Sequence, residues 1–179
     1  MYKSIRKELH GSLSGKILDV SSSGSFTSMI DADNSEVTET SYPEVDMQSL
    51  PFDEGSFDVV ISDQVIEHLE NPQKAIDESY RVLKKGGMAI HTSCFINSIH
   101  EPTPDYWRFT LKALEYLCRD FSEIIVSQGW GNRIAILICF YFKKLRFLKI
   151  KDTGLSLLRK IAEYNEPGFS IVTWIIAKK

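Results

Sequence analysis

The sequence predicts an α/β domain built on a mostly parallel sheet, and three observations carry that expectation. Short apolar runs of strand character recur along the chain, at 17–20 (ILDV), 57–62 (FDVVIS) and 88–95 (MAIHTSCF). Between the last two, apolar residues return at helical spacing, so strand and helix alternate. The first run ends in a Ser/Gly turn, as a buried parallel strand does where it leaves the sheet.

The elements follow in order. Ile17–Val20 reads as a buried strand, and Phe26 to Ala32 as a brief helix. Val37 to Tyr42 reads as a second, weaker strand stopped by Pro43, and Phe57 to Ser62 as a stronger one. Asn71-Pro72 then supplies an N-cap with proline in the first turn. Ala75, Ile76, Tyr80 and Leu83 form one helical face, and Gly86-Gly87 a left-handed stop. Met88 to Phe95 is the next strand. Thr110 caps a helix with Leu111, Leu114, Leu117 and Cys118 on one face, and 123–128 (EIIVSQ) and 171–178 (IVTWIIAK) are two last strands. Ligands of such sheets bind beyond the carboxyl ends of the strands. That rule nominates Asp19, Ser21 to Ser25, Glu39 to Ser41 and Asp63.

At 179 residues one domain is expected, with a core over 15–130 and a helical, basic insertion over about 131–166 before the last strand. Cys94, Cys118 and Cys139 lie far apart without CxxC spacing, so they read as small buried hydrophobes and no metal site is expected. The N-terminus has no apolar signal-peptide core, which makes a cytoplasmic location the expectation. Charge is uneven. Residues 31–70 hold twelve acids and no Lys or Arg, and residues 133–160 hold eight bases against Asp152 alone. Both suit a solvated surface, or else an acidic cleft for a cationic ligand beside a basic flank. No basic-aromatic module accompanies that flank, so nucleic acid is not an expected partner. The apolar run Ile134 to Phe142 is nine residues, too short to span a bilayer. It reads as a core helix, with membrane-surface contact through 133–151 as the alternative.

Residues 45–95 (VDMQSLPFDEGSFDVVISDQVIEHLENPQKAIDESYRVLKKGGMAIHTSCF) carry the combination LPF…SFDVV…EHL…A…E..RVLKKGG. This stretch resembles the middle of class I S-adenosylmethionine-dependent methyltransferases, of the ubiquinone-biosynthesis-like, type 11 group. A second block at 99–110 (IHEPTPDYWRFT) is similar to one in a compact bacterial subgroup often linked with surface-polysaccharide gene clusters. The resemblance implies a Rossmann-like three-layer sandwich, a mostly parallel sheet with an antiparallel C-terminal strand pair. It implies S-adenosylmethionine as cofactor and a small-molecule acceptor, methylated on an O or N atom, such as a sugar or lipid-linked sugar. Carried over position by position, the turn from Asp19 through Ser21, Ser23 and Gly24 meets the methionine part. Asp46 takes the adenine amino group, with Met47 beside the ring, and Ser62, Asp63 and Gln64 border the methyl group. The ribose position falls on Glu39 or, in the nearest register, on Thr40 or Ser41.

The turn departs from the family's Asp-x-Gly-x-Gly-x-Gly, with Ser21, Ser23 and Ser25 at the three glycine positions and Gly24 between them. A serine forced into the left-handed region costs about 1–2 kcal/mol. A turn re-registered on Gly24 recovers part of that loss. Methyl transfer is an in-line displacement, so alignment matters most, and an O or N acceptor also has a proton to lose. The candidates for that chemistry are Asp63, His100, Glu101 and Asp105. Tyr106, Trp107 and Arg108, with Glu101, form the candidate substrate wall. For that wall the alternative is packing of the aromatics and pairing of Arg108 with a nearby acid. His68 and His91 read as structural. Against the enzyme stands a non-catalytic relative that keeps the fold as a binding or partner module. A nicotinamide-dependent enzyme is disfavoured by the missing GxGxxG.

Overall fold

The computed structural model describes residues 1–99, 103–141 and 157–179. Six strands form one sheet in the order β2-β1-β3-β4-β6-β5. They are β1 (Leu13–Asp19), β2 (Ile30–Glu39), β3 (Phe57–Asp63), β4 (Leu83–Cys94), β5 (Glu123–Trp130) and β6 (Val172–Lys178). Strands β2, β1, β3 and β4 run parallel, and β6 lies antiparallel to both β4 and β5. The expected architecture, with its antiparallel C-terminal pair, is therefore borne out.

Strand alternation divides the core. Leu18, Val60, Ala89, Ile175 and Ala177 face one way, against α2 (Pro72–Val82) and α3 (Leu111–Leu117). Ile17, Val59, Ile61, Ile90, Trp174 and Ile176 face the other, against Ile5 of α1 (Tyr2–Glu8) and against Phe26 and Met29. The α2 and α3 caps follow the sequence: Asn71 accepts from the Lys74 amide at 3.1 Å, and Thr110 from the Ala113 amide at 3.2 Å. Two more helices, α4 (Arg133–Tyr141) and α5 (Leu157–Glu163), precede β6. Buried Asn132 ties them together, accepting from Ala135 N at 2.7 Å and donating to the Ile161 and Tyr164 carbonyls at 2.8 Å.

Three local expectations need correction. The brief helix over 26–32 is a single 3₁₀ turn, Thr27–Met29, with β2 already under way at Ile30. That strand runs Ile30–Glu39, not 37–42, because pairing with β1 begins at Leu13↔Ile30 and ends at Asp19↔Glu39. Helix α2 ends at Val82, since Leu83 is already extended. The Gly86-Gly87 pair lies instead within the irregular start of β4, where the β3–β4 register shifts.

Candidate functional site

The chain leaves β1 toward β2 on one side, while β3 lies on the other. The sheet thus opens a crevice at the carboxyl ends of these strands. A cleft of about 490 Å³ lies there. Its walls are Val20 and Ser21 after β1, Ser41 to Gln48 in part after β2, Gln64 to Glu70 in part after β3, and Thr103, Pro104 and Tyr106 after β4.

One end of the cleft is built by the loop between β2 and β3. The Asp46 carboxylate accepts from the Gln48 amide at 2.8 Å and from its side-chain nitrogen at 3.2 Å. Gln48 Oε1 in turn accepts from Asn71 N at 3.0 Å, which fastens the loop to the start of α2. Met47 is buried in the core yet forms cleft wall. Further along, Glu78 and Arg81 of α2 grip the same loop. Glu78 accepts from Leu50 N at 2.9 Å, while Arg81 donates to the carbonyls of Phe52 at 2.7 Å and Leu50 at 3.0 Å. The two side chains also pair bidentately, at 2.7 and 2.8 Å. Arg81, with the Leu50 amide adding, holds the Glu78 carboxyl below the ordinary range. The sequence motif contained both residues, and their spacing gave no hint that they clamp this loop.

The serine turn re-registers on its glycine. Positive φ falls on Ser22 (44°) and Gly24 (64°), and not on Ser21, Ser23 or Ser25. One left-handed serine therefore remains, at about 1–2 kcal/mol. Ser21 turns its amide (2.9 Å) and its hydroxyl back onto Asp19. Ser23 donates to Asp63 at 3.1 Å, and Ser22 to the Thr40 carbonyl at 3.0 Å. Phe26 does not fill the cleft; it is fully buried, edge-on to Tyr2 at 5.4 Å. Ser41 lines the cleft and Glu39, exposed on the edge strand, does not.

The opposite end is a rim folded back on itself. The Tyr106 and Trp107 amides donate to the Glu67 carbonyl at 2.9 and 3.2 Å, and Trp107 Nε1 to the Leu69 carbonyl at 2.8 Å. His68 donates from Nδ1 to the Pro104 carbonyl at 2.6 Å and lines the cleft with Gln64 and Tyr106. Arg108 forks onto Asp105, at 2.7 Å to Oδ2, and braces the carbonyls of Trp107, Ser98 and Asn97. Neither member of that pair, nor Trp107, is cleft wall. Ser62 is buried against His91, Oγ to Nδ1 at 2.7 Å. Asp63 sits below the turn, bonded by Thr92 at 2.6 Å, Tyr2 at 2.7 Å and Ser23. Tyr2 and Thr92 carried no signal in the sequence. His100 and Glu101 lie outside the described residues, as do 142–151 of the basic segment. Burial pushes the Cys94 and Cys118 thiols up to about 12, aided at Cys94 by Glu67, so both are packing groups at neutral pH.

Comparison with known proteins shows what this geometry is similar to. The family model described as a methyltransferase domain matches residues 7–91. An uncharacterised protein of Methanocaldococcus jannaschii is 30% identical over 89 residues, 48% of this chain and 43% of its own length. A 2-methyl-6-phytyl-1,4-hydroquinone methyltransferase of Oryza sativa subsp. japonica is 41% identical over 64 residues, 36% of this chain and 16% of its own. The chain thus matches less than half the length of either curated relative. Among solved structures, a phosphoethanolamine N-methyltransferase of Haemonchus contortus, in complex with phosphomonomethylethanolamine and S-adenosylhomocysteine, shares the fold. Its TM-score is 0.63 at 18% identity, over 99% of this chain and 52% of that one. Residues 7–91 thus resemble a methyltransferase domain and the chain shares the fold of S-adenosylmethionine-dependent methyltransferases, and S-adenosylmethionine is the cofactor that this likeness implies.

The residues present fit that cofactor unevenly. Asp46, Met47 and Ser41 give the cleft an apolar wall and acceptors suited to a nucleoside's exocyclic N–H and hydroxyls. Beyond the cleft wall, beside the serine turn, Asp19 and Asp63 suit an ammonium, and the Ser22, Ser23 and Gly24 amides donate to no group among the described residues.

Proposed function

We propose that the chain is a methyltransferase acting on an O or N atom of a small molecule, such as a sugar or lipid-linked sugar. The observation that carries this reading is one continuous cleft, with Asp46 and Met47 at one end and Gln64, His68 and Tyr106 at the other. S-adenosylmethionine supplies the methyl group on a sulfonium. The chain's own residues bind, orient and deprotonate. Asp46 and Met47 hold the adenine and Ser41, in preference to Glu39, the ribose. The turn at Ser21 to Gly24 meets the methionine end, and Ser62, Asp63 and Gln64 fix the floor beneath the methyl group. Asp105 and Arg108 shape the rim through their pairing. His68 Nδ1–H donates to the Pro104 carbonyl and steadies the rim, and His100, with Glu101, takes the acceptor's proton.

Titration calorimetry with S-adenosylmethionine and S-adenosylhomocysteine tests this directly. Micromolar binding is expected, weakened at least about tenfold by Asp46→Ala through the lost acceptor. Absence of binding at millimolar ligand, with the protein folded, overturns the reading. A non-catalytic relative is then favoured, and the hydroxyls gathered on Asp63 are the observation on its side.

A lipid-linked acceptor draws support from α4, where Ile134, Leu137 and Phe140 are each about half exposed, ahead of the basic residues Lys143, Lys144 and Arg146. Sedimentation with anionic vesicles is expected to carry down the wild type, and Leu137→Asp/Phe140→Asp several-fold less. Equal recovery with zwitterionic vesicles removes this refinement and leaves a soluble acceptor.

A further inference from the structure

Asp63 ends β3 with its side chain 5% exposed, yet each of its partners is a hydroxyl. Thr92 Oγ1 donates to Oδ1 at 2.6 Å, and Tyr2 OH and Ser23 Oγ donate to Oδ2 at 2.7 and 3.1 Å. Asp19, on β1 and the same sheet face, is 3% exposed and is held by Ser21. Among the described residues no Lys, Arg or His reaches either carboxylate. Two neighbouring buried carboxylates without a cation are costly unless a cation arrives from outside.

The open cleft stops short of this pair. Ser21 and Gln64 line it, whereas Asp63, Ser23 and Tyr2 do not. Tyr2 is firmly placed, its ring edge-on to buried Phe26 and its helix anchored by Ile5, which is 0% exposed. Burial, with Asp63 adding to it, pushes the Tyr2 phenol up to about 12, so it remains a proton donor at neutral pH.

We propose that Tyr2 and Ser23 determine which ligand tails the site accepts, because their hydroxyls hold the Asp63 oxygen that a ligand's ammonium would use. The proposal rests on the cofactor-binding reading given above. A nucleoside thioether without an amino-acid tail leaves the cluster intact. A ligand with the tail must displace both hydroxyls from Oδ2 and meets that cost in its affinity. The serine that stands at a glycine position of the turn thereby has a role that glycine lacks.

The test compares S-adenosylhomocysteine, which has the tail, with 5′-methylthioadenosine, which lacks it. Tyr2→Phe keeps the ring against Phe26 and removes only the hydroxyl, and a matching thermal melt confirms the fold. We expect S-adenosylhomocysteine to bind about tenfold tighter to Tyr2→Phe, the equivalent of one hydrogen bond to a charged acceptor. Tyr2→Phe/Ser23→Ala should bind it tighter again, while 5′-methylthioadenosine stays within twofold throughout. Weaker binding of S-adenosylhomocysteine to Tyr2→Phe overturns the proposal, since the hydroxyl would then be a ligand contact. Equal binding of both ligands to all three proteins overturns it as well and leaves the methyltransferase reading standing. Binding of neither ligand to any of the three overturns that reading and the proposal with it.

Discussion

Arg81→Ala is expected to lower the unfolding free energy by about 2–3 kcal/mol and to weaken nucleoside binding without touching the cleft. Arg81 makes bonds at Nε and Nη2 to Glu78, at Nη1 to the Phe52 carbonyl and at Nη2 to the Leu50 carbonyl. Removing it strips a donor from both carbonyls and a counter-charge from Glu78. The Arg81 side chain is 35% exposed and Glu78 20%, so solvent screening keeps the loss below that of a fully buried pair. Arg81→Lys should recover less than half, because an ammonium cannot present the planar fork that meets Glu78 and the loop together. Urea unfolding measures the first effect and S-adenosylhomocysteine titration the second. A loss under about 1 kcal/mol with unchanged affinity would show that the loop from Asp46 to Gly55 holds itself.

This clamp also shows where sequence reading stops. The strands β3 and β4 and the helices α2 and α3 were legible, because apolar runs, Asn71 and Thr110 are local signals of burial and capping. Strand β2 was misplaced because it is an edge strand. Asp31, Asp33 and Glu36 decorate it, and most of its residues are exposed or half-exposed, so the alternation that marks a half-buried strand is faint. The glycine pair 86–87 looked like a helix stop for a good reason, since Gly86 does take φ of 79°. Gly87 answers to a tertiary demand: a Cβ there would lie 2.9 Å from the Lys84 carbonyl oxygen and 3.0 Å from that of Asp58. At the site, Asp46 and Met47 were accessible through a contiguous motif. The cluster on Asp63 was not, because Tyr2 lies 61 residues away and a hydroxyl donor leaves no periodic trace. Asp105 and Arg108, three apart on the loop after β4, read as a candidate base and as substrate wall, with pairing of Arg108 to a nearby acid as the alternative. The structure joins them to each other, as that spacing allows.

Acidification from pH 6.5 to about 4 is expected to cost the fold about 3 kcal/mol through His91 alone. His91 is fully buried in β4 on the side of α2 and α3. Its Nδ1 is paired with Ser62 Oγ at 2.7 Å, while Nε2 is buried with no partner among the described residues. Burial pushes the imidazole down to about 4, against about 6.5 in an unfolded chain. Between those values the unfolded chain binds a proton that the native one refuses. Stability contributed by neutral His91 is therefore fully present above pH 6.5, falls by up to about 1.4 kcal/mol per pH unit through the window, and is gone below about 4. Carboxylates such as Asp58 and Glu78, held low by Lys84 and Arg81, add their own losses further down, as pH falls through their depressed values. A variant separates the contributions. In His91→Gln the acid limb between pH 6.5 and 4.5 should flatten, while the carboxylate losses remain. Urea midpoints at half-unit intervals give the difference between the two proteins. A difference that does not change with pH would mean that His91 finds room to protonate in place, which its orphaned Nε2 and complete burial argue against.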